Sequence, residues 1–356
     1  MSTYKLSVDK TPFTIALKQR VSQLFTEQNI KRSANYEMKL KTVTALSIYL
    51  LPYFFMMIFQ PTSYALLVAL WFTMGIGMTM IGTSVMHDSL HGSYSNKKSV
   101  NYLLGVSAWL VGVDPTIWKL QHNVLHHSYP NVEHMDDDIN PRYVLRLSPN
   151  QPKRWFHRFQ HIYAVLLYSI STLIWVTAKD FTKTYKYYKR GLFKKERKLS
   201  HALIEVFFRK TSYLFVFLYV PILLLPFSTG QVILLFVILH LTAGLCLSLI
   251  FQPAHVIHTS DFVDPDAETK ERNWYVHQLL TTSNYGINNR LVFWFSGGLN
   301  HQIEHHLFPN ICHIHYRKIA KIVMETTEEF QIPYHTQKTF GHAVYHHFKM
   351  LRDLGK

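Results

Sequence analysis

Residues 43–60 read VTALSIYLLPYFFMMIFQ and, after Pro61-Thr62, residues 63–85 read SYALLVALWFTMGIGMTMIGTSV. Neither stretch carries a charged side chain, and each is close to the roughly 20 residues that cross about 30 Å of hydrocarbon as a helix. With only two residues between them, the pair predicts a tight helical hairpin. A second pair, residues 213–227 and 231–251, is separated by Ser228-Thr229-Gly230. The chain is 48% hydrophobic, and its apolar residues are gathered into a few long runs instead of being spread at amphipathic spacing. The expected fold is an all-α integral membrane protein with four transmembrane helices in two hairpins. Two shorter apolar runs, 102–113 and 162–177, are expected as buried, re-entrant or interfacial helices.

Four spans put the N-terminus, the loop 86–212 and the C-terminus on one side of the membrane. Lys and Arg crowd residues 179–210, and Lys18, Arg20, Lys31, Arg32, Lys39 and Lys41 add to them, whereas both hairpin tips have none. This asymmetry predicts that the shared side is cytoplasmic. The expected organisation is a cytoplasmic region 1–42, a membrane domain 43–323 under a cytoplasmic helical cap, and a cytoplasmic tail 324–356. Phe13 to Phe25 is expected as an amphipathic helix lying on the membrane. The net charge of +15 sits beside spans, where anionic lipid headgroups attract it, so nucleic acid is not the expected partner. The same charge suits the phosphates of an acyl carrier or an acidic redox protein. Cys246 and Cys312 are the only cysteines, which excludes a disulfide framework, an iron–sulfur ligand set and a CxxC redox motif.

Histidine occurs 22 times, and its arrangement carries the chemistry. His87 and His91 lie in VMHDSLHGSY, His122, His126 and His127 in QHNVLHHSYPN, and His305 and His306 in NHQIEHHLFPN. Neutral imidazole is the commonest protein ligand for transition metals, and residues four apart on a helix share a face. A single HxxxH is commonly coincidence. Three clusters at the ends of different segments, all on one side of the membrane, predict a site. So many imidazoles are too many for one tetrahedral zinc, and no cysteine cluster or carboxylate cage accompanies them. Two metal ions fit better, with iron favoured because open-coordination non-haem iron activates O2.

HDSLH, HNVLHH and QIEHHLFP in this order, with hairpins before the first and between the second and third, resemble the membrane fatty acid desaturase family. The resemblance runs from about Val43 to about Val323 and extends to WKLQHN, DDDI, FQPAH and GGLNHQIEHHLFP. A third box opening with Gln302 is similar to the front-end desaturases, which insert a double bond between an existing one and the carboxyl end. The resemblance implies metal ligation by His87, His91, His122, His126, His127, His305 and His306. It adds His255 in FQPAHVIH, and Gln302, which is preferred over its neighbour His301. Asp88 and Glu304 are candidates to accept the second ring N–H of a bound imidazole. For Asp136-Asp137-Asp138 a solvated loop is an equal reading. His258, His313, His315 and the later histidines are not expected as ligands.

The implied cofactors are two Fe ions, with O2 as co-substrate and a fatty acyl chain, linked to CoA, a carrier protein or a lipid, as substrate. No HPGG haem motif of a fused cytochrome b5 domain occurs in the sequence, so electrons are expected from a separate ferredoxin or cytochrome b5-like donor. Trp109, Trp118, Trp274, Trp294, Phe293 and Phe295 are candidates for lining an acyl channel or for anchoring at the headgroups. The competing readings are a hydroxylase, ketolase or sphingolipid desaturase of the same superfamily, and a His-rich metal transporter or sensor. Transport sites lie near the midplane, where only His240 is placed.

Overall fold

The computed structural model describes residues 5–139, 144–266 and 272–356. Residues 1–4 of the N-terminal region lie outside them. Helix α1, Pro12–Glu27, starts at Thr11, whose hydroxyl accepts from Thr14 N. Its apolar stripe of Phe13, Leu17, Val21 and Phe25 is buried in a cluster with Tyr316, Ile319 and Val323. The expected amphipathic helix is therefore present, but protein covers its apolar face where lipid was expected. Burial against a preformed apolar surface removes that face from water as well as a bilayer does.

Four helices are long and apolar enough to cross a membrane. They begin with α2, Tyr36–Phe59, and α3, Tyr64–His91. Helix α2 starts seven residues before the predicted boundary because Asn35 caps it, accepting from Met38 N. Helix α3 runs without a break from the membrane into the first histidine pair, passing through a π-wound turn at Ile81–Met86. Helix α4, Pro115–Lys119, continues into π turns at Leu120–His126. Next come α5, Trp155–Ser169, and α6, Ser171–Lys189, bent by 55° at the break between them. The apolar run 162–177 thus lies across a bend, and the bent pair has the length and composition of a broken span or a re-entrant loop. The other two spans are α7, Leu199–Leu224, and α8, Thr229–His255. Helix α7 begins inside the basic loop because its first turns are amphipathic, with Ala202 and Val206 buried while charged neighbours face outward.

Helix α8 packs against the bend. A Cβ on Gly244 would stand 2.2 Å from Ser169 O and 2.8 Å from Tyr168 O. His240, one turn earlier, is satisfied by Thr172 Oγ1 at 3.1 Å and Tyr213 OH at 3.3 Å, a structural role inside the span. Gly244→Ala is expected to force the two helices apart at a cost on the order of 3 kcal/mol, read as a lower thermal unfolding midpoint in detergent. An unchanged midpoint would contradict this close approach.

The rest of the chain adds further helices after the last candidate span. Helices α9, Trp274–Leu280, α10, Gln302–Leu307, and α11, Tyr316–Glu329, are followed by α12, Phe340–Gly355. Helix α12 buries His347 and Leu351 and joins α5 through Tyr168 OH and His347 Nε2 at 2.8 Å. Two short parallel pairs tie the loops together: Leu6–Ser7 with Arg272–Asn273, and Asn284–Tyr285 with Thr336–Gln337.

Candidate metal centre

Each histidine cluster is delivered by a different local device. The first sits on the last turns of α3, which ends at Gly92 with φ 75°, a left-handed cap that glycine adopts without strain. His87 and His91 stack four residues apart, with ring centroids 4.6 Å from each other. The second follows a Pro at the first helical position and the Asp114 cap, whose carboxylate accepts from Thr116 N and Ile117 N. Its winding is π rather than the α-helix expected, with His127 N bonded to His122 O, five residues back, at 2.9 Å. Such turns recur at functional sites. Here the winding lets three histidines converge, with His122 and His127 ring centroids 4.8 Å apart.

The third cluster rides on α10, whose start is fixed by Asn284: its Oδ1 accepts from Ile303 N at 2.9 Å and its Nδ2 donates to Glu304 at 2.8 Å. Tyr334 OH also donates to Glu304, at 3.0 Å. Gly297 and Gly298, both with positive φ, precede α10. A Cβ on Gly297 would lie 2.1 Å from Thr83 O in the π turn of α3, so the glycine lets the third cluster reach the first.

All nine predicted side chains come together, and all but the intermediate His91 are buried. The donor atoms of His87, His91, His122 and His305 lie within 4.8 Å of one another. So do those of His126, His255 and His306, and those of His127, His305 and His306. His87 Nε2 faces His122 Nε2 at 3.3 Å, His127 Nε2 faces His305 Nε2 at 2.9 Å, and the Gln302 amide reaches His255 Nε2 at 2.9 Å. Among the described residues, His91 Nε2, His306 Nε2 and Gln302 Oε1 are buried without a partner. Buried polar atoms are otherwise almost always satisfied.

In five of the eight histidines the opposite ring nitrogen is held, while His87 Nδ1 and His127 Nδ1 have no hydrogen-bond partner among the described residues. His126 Nδ1 donates to Asp136 at 3.0 Å, His306 Nδ1 to Gln278 Oε1 at 2.8 Å, and His255 Nδ1 to Thr281 O at 3.3 Å. His122 Nδ1 is 3.5 Å from Asp138, and His305 Nδ1 is 3.3 Å from Tyr316 OH. These contacts fix the tautomer that leaves the Nε2 lone pairs pointing inward. Burial and then mutual repulsion drive His127, His305 and His306 well below the usual histidine range. Burial pulls His122 down to about 3. Burial would lower His126 as well, but the carboxylates of Asp136 and Asp138 overcome it and raise this ring to about 9.

The remaining candidates stand apart from the cluster. His301 is buried against Phe293, ring centroids 5.5 Å apart, with Nδ1 3.5 Å from Glu304. Asp88 turns Oδ2 to His313 Nδ1 at 2.8 Å, and its Oδ1 is 3.8 Å from His87 Nδ1. His258 is exposed and pairs with Asp353. Gln278, Thr281, Tyr316 and Asn284 were not anticipated from sequence. Nor was Asn131, whose amide donates to His255 O and Asp261 O at 3.0 Å each. Its φ of 56° and its place after Pro130 were the available signals.

A cavity of about 760 Å³ opens onto His122, His126 and His255, within the range of ligand sites. Its apolar walls include Val111, Leu247 and Phe251, and Trp118 lines it beside His122, ring centroids 4.5 Å apart. Of the aromatic residues considered for a channel, Trp118 lines this cavity, and so does Trp175, which was not anticipated.

Spanning helices that end in a buried cluster of inward-facing imidazoles beside an apolar cavity define a membrane protein built for chemistry on a lipophilic substrate. Residues 61–338 match the fatty acid desaturase family, and the chain belongs to it. It is 34% identical to sn-1 linoleoyl-lipid 6-desaturase of Arthrospira platensis, over 99% of this chain and 95% of that protein. It is 35% identical to acyl-lipid (8-3)-desaturase of Physcomitrium patens, over 96% of this chain and 72% of that one. Delta(5) fatty acid desaturase A of Dictyostelium discoideum is 32% identical, over 98% and 76% respectively. The chain is thus an oxidoreductase, a fatty acyl desaturase, as the resemblance implied.

Proposed function

We propose that the nine converging side chains hold two iron ions and that the enzyme places its double bond between an existing one and the carboxyl end of a lipid-linked acyl chain. The convergence of the nine beside the apolar cavity carries this reading. His87, His91 and His122 serve one ion, and His126, His255, His306 and Gln302 the other. His127 and His305 stand between the two groups. The donor set fits iron, because among the described residues His91 Nε2, His306 Nε2 and Gln302 Oε1 are buried without partners and no thiolate competes. Bound iron supplies the one-electron chemistry with O2 that oxidises an unactivated methylene pair.

The protein's own groups position and enclose the substrate. The cavity lining includes Lys183 and Lys186, which pair with Asp137, the histidines, Gly82 and Leu247 of the candidate spans, and Val111 of the turn Val106–Val111. The polar head of the substrate lies at the lysine end and its methyl end near Gly82. The lipid linkage is supported by relatives named for acyl-lipid substrates. A cytoplasmic site with both termini on the same side, four spans in two hairpins and an external one-electron donor complete the reading. The basic segments beside the spans support that sidedness.

The test is expression in a host lacking polyunsaturated acids, with a panel of fed fatty acids and chromatography of the products. New double bonds on the carboxyl side of existing ones are expected; bonds on the methyl side, or hydroxylated products, would refute the reading. In the same host Gly82→Leu is expected to remove the longest acids from the product profile. A Cβ there meets Leu247 and Val111 at 3.4 and 3.8 Å, ordinary contacts, so the first side-chain atom is accommodated and the rest of the leucine takes up volume of the cavity that Gly82 lines. An unchanged profile would show that the methyl end lies elsewhere.

A further inference from the structure

A second pocket, separate from the substrate cavity, lies beside the residues that follow the third histidine cluster. It is a surface pocket of about 400 Å³ lined by Lys18, Arg32, Tyr275, Leu307, Phe308 and Asn310 among others. It shares no lining residue with the cavity, and only the cavity is lined by histidines of the cluster. Leu307 and Phe308 directly follow His306 in the chain. Tyr275 meets Trp274 edge-on at 4.8 Å, and Trp274 Nε1 donates to His127 O at 3.2 Å. From the pocket floor the cluster is therefore reached through one peptide bond or through one ring contact and one hydrogen bond.

The rim is basic and uncompensated. Lys18 and Arg32 are exposed. Lys18 Nζ lies 4.8 Å over the Tyr275 ring, and Arg32 sits 5.4 Å over Phe25 and donates to Ser22. Among the described residues no carboxylate pairs with either. At the mouth of the substrate cavity, in contrast, Lys183 and Lys186 are both held by Asp137. Free cations on rigid aromatic supports favour an anionic surface on a partner, steering its approach and fixing its orientation.

We propose that this pocket is the docking surface for an acidic one-electron carrier protein. The inference rests on the desaturase reading, which requires such a donor. For each double bond O2 takes up four electrons and yields two waters. Two electrons, with two protons, come from the methylene pair. The other two come singly from reduced carrier, with two protons from solvent. Contact at Leu307, Phe308 and Tyr275 brings the carrier to these bonded routes into the cluster and leaves the substrate cavity free.

The test uses the full-length iron-loaded enzyme in phosphatidylcholine nanodiscs, with a plant-type [2Fe–2S] ferredoxin and a soluble cytochrome b5 as probes. Biolayer interferometry is expected to show binding of at least one that weakens with added salt. Lys18→Glu with Arg32→Glu is expected to weaken it about tenfold or more and to flatten the salt dependence. The ratio of carrier-driven to viologen-driven turnover should fall by a similar factor. Lys18→Gln with Arg32→Gln, a milder change, is expected to give a smaller loss of the same sign. The proposal falls if neither carrier binds the wild type, if the charge reversal leaves binding unchanged, or if the reversal only reduces adsorption of anionic vesicles. Viologen-driven turnover by the wild type tests the desaturase reading separately, and the binding measurement does not depend on turnover.

Discussion

His305→Ala is expected to reduce double-bond formation to background while the protein still inserts in the membrane and purifies as a folded chain. His305, like His306, belongs to two of the groups of converging donors, and it joins the group of His87, His91 and His122 to that of His127 and His306. Its ring centroid lies 4.5 Å from those of both His87 and His127, so its loss opens the seam between the two halves of the centre. The span helices do not depend on it, because the cores around α2, α3 and α8 are formed by other side chains. Product chromatography and iron per purified chain are the measurements, with iron expected to fall from about two to one or fewer. His301→Ala is the control: that ring is equally buried but faces Phe293 and Glu304, so it is expected to lower stability and leave the iron content near wild type. Full activity in His305→Ala, or equal iron loss in both variants, would remove His305 from the centre.

The candidate spans and the histidine clusters were legible for one reason: both depend on local pattern, whereas His255 and Gln302 entered through the family resemblance. An uncharged run of some 20 residues has few places to go except a bilayer, and residues four apart on a helix meet whatever surrounds them. What surrounds them was not legible. The stripe Phe13, Leu17, Val21, Phe25 has the same periodicity whether lipid or protein covers it, and only the tertiary fold placed α11 there. The start of α7 was missed because its first turns are amphipathic, so hydropathy marked the apolar part and not the helix. The π winding of the second cluster is set by a bond from His127 to His122, and HNVLHH spells an α-helix equally well. The groups that orient the imidazoles come largely from distant loops. Gln278 and Thr281 reach His306 and His255 across folds of the chain that no spacing rule records.

The acidic run shows this limit most sharply, because three identical neighbours have three different fates. Asp136 accepts from His126 Nδ1 and also from Asn131 N and Asp138 N. Asp137 turns away to Lys183, Lys186 and Tyr187 OH, and those cations hold its carboxyl below the usual range despite burial. Asp138 accepts from Gln121 and approaches His122. A solvated loop was an equal reading of the sequence. In the fold Asp136 and Asp137 are buried and serve opposite ends of one site.

Asp136→Ala is therefore expected to weaken iron retention about 10- to 100-fold, the range for removing a carboxylate that orients a metal-bound imidazole. Two effects oppose each other. Without Asp136 the His126 ring no longer holds a proton that the metal must displace, which favours binding. The ring also loses its orienting hydrogen bond and part of its basicity, and the turn carrying Asn131 and Asp138 loses two backbone anchors. The second effect is the larger, because the loss of about 10- to 100-fold on removing such a carboxylate is the net of both. Asp136→Asn keeps an acceptor oxygen and is expected to lose less than about tenfold. Asp137→Ala frees Lys183 and Lys186 without touching a histidine, so it is expected to alter acyl selection and leave iron retention near wild type. Iron retention under chelator challenge, measured across the three variants, reads the order directly. Equal losses in Asp136→Ala and Asp137→Ala would mean that the run acts as a shared negative charge, and the division of labour between the two carboxylates would fail.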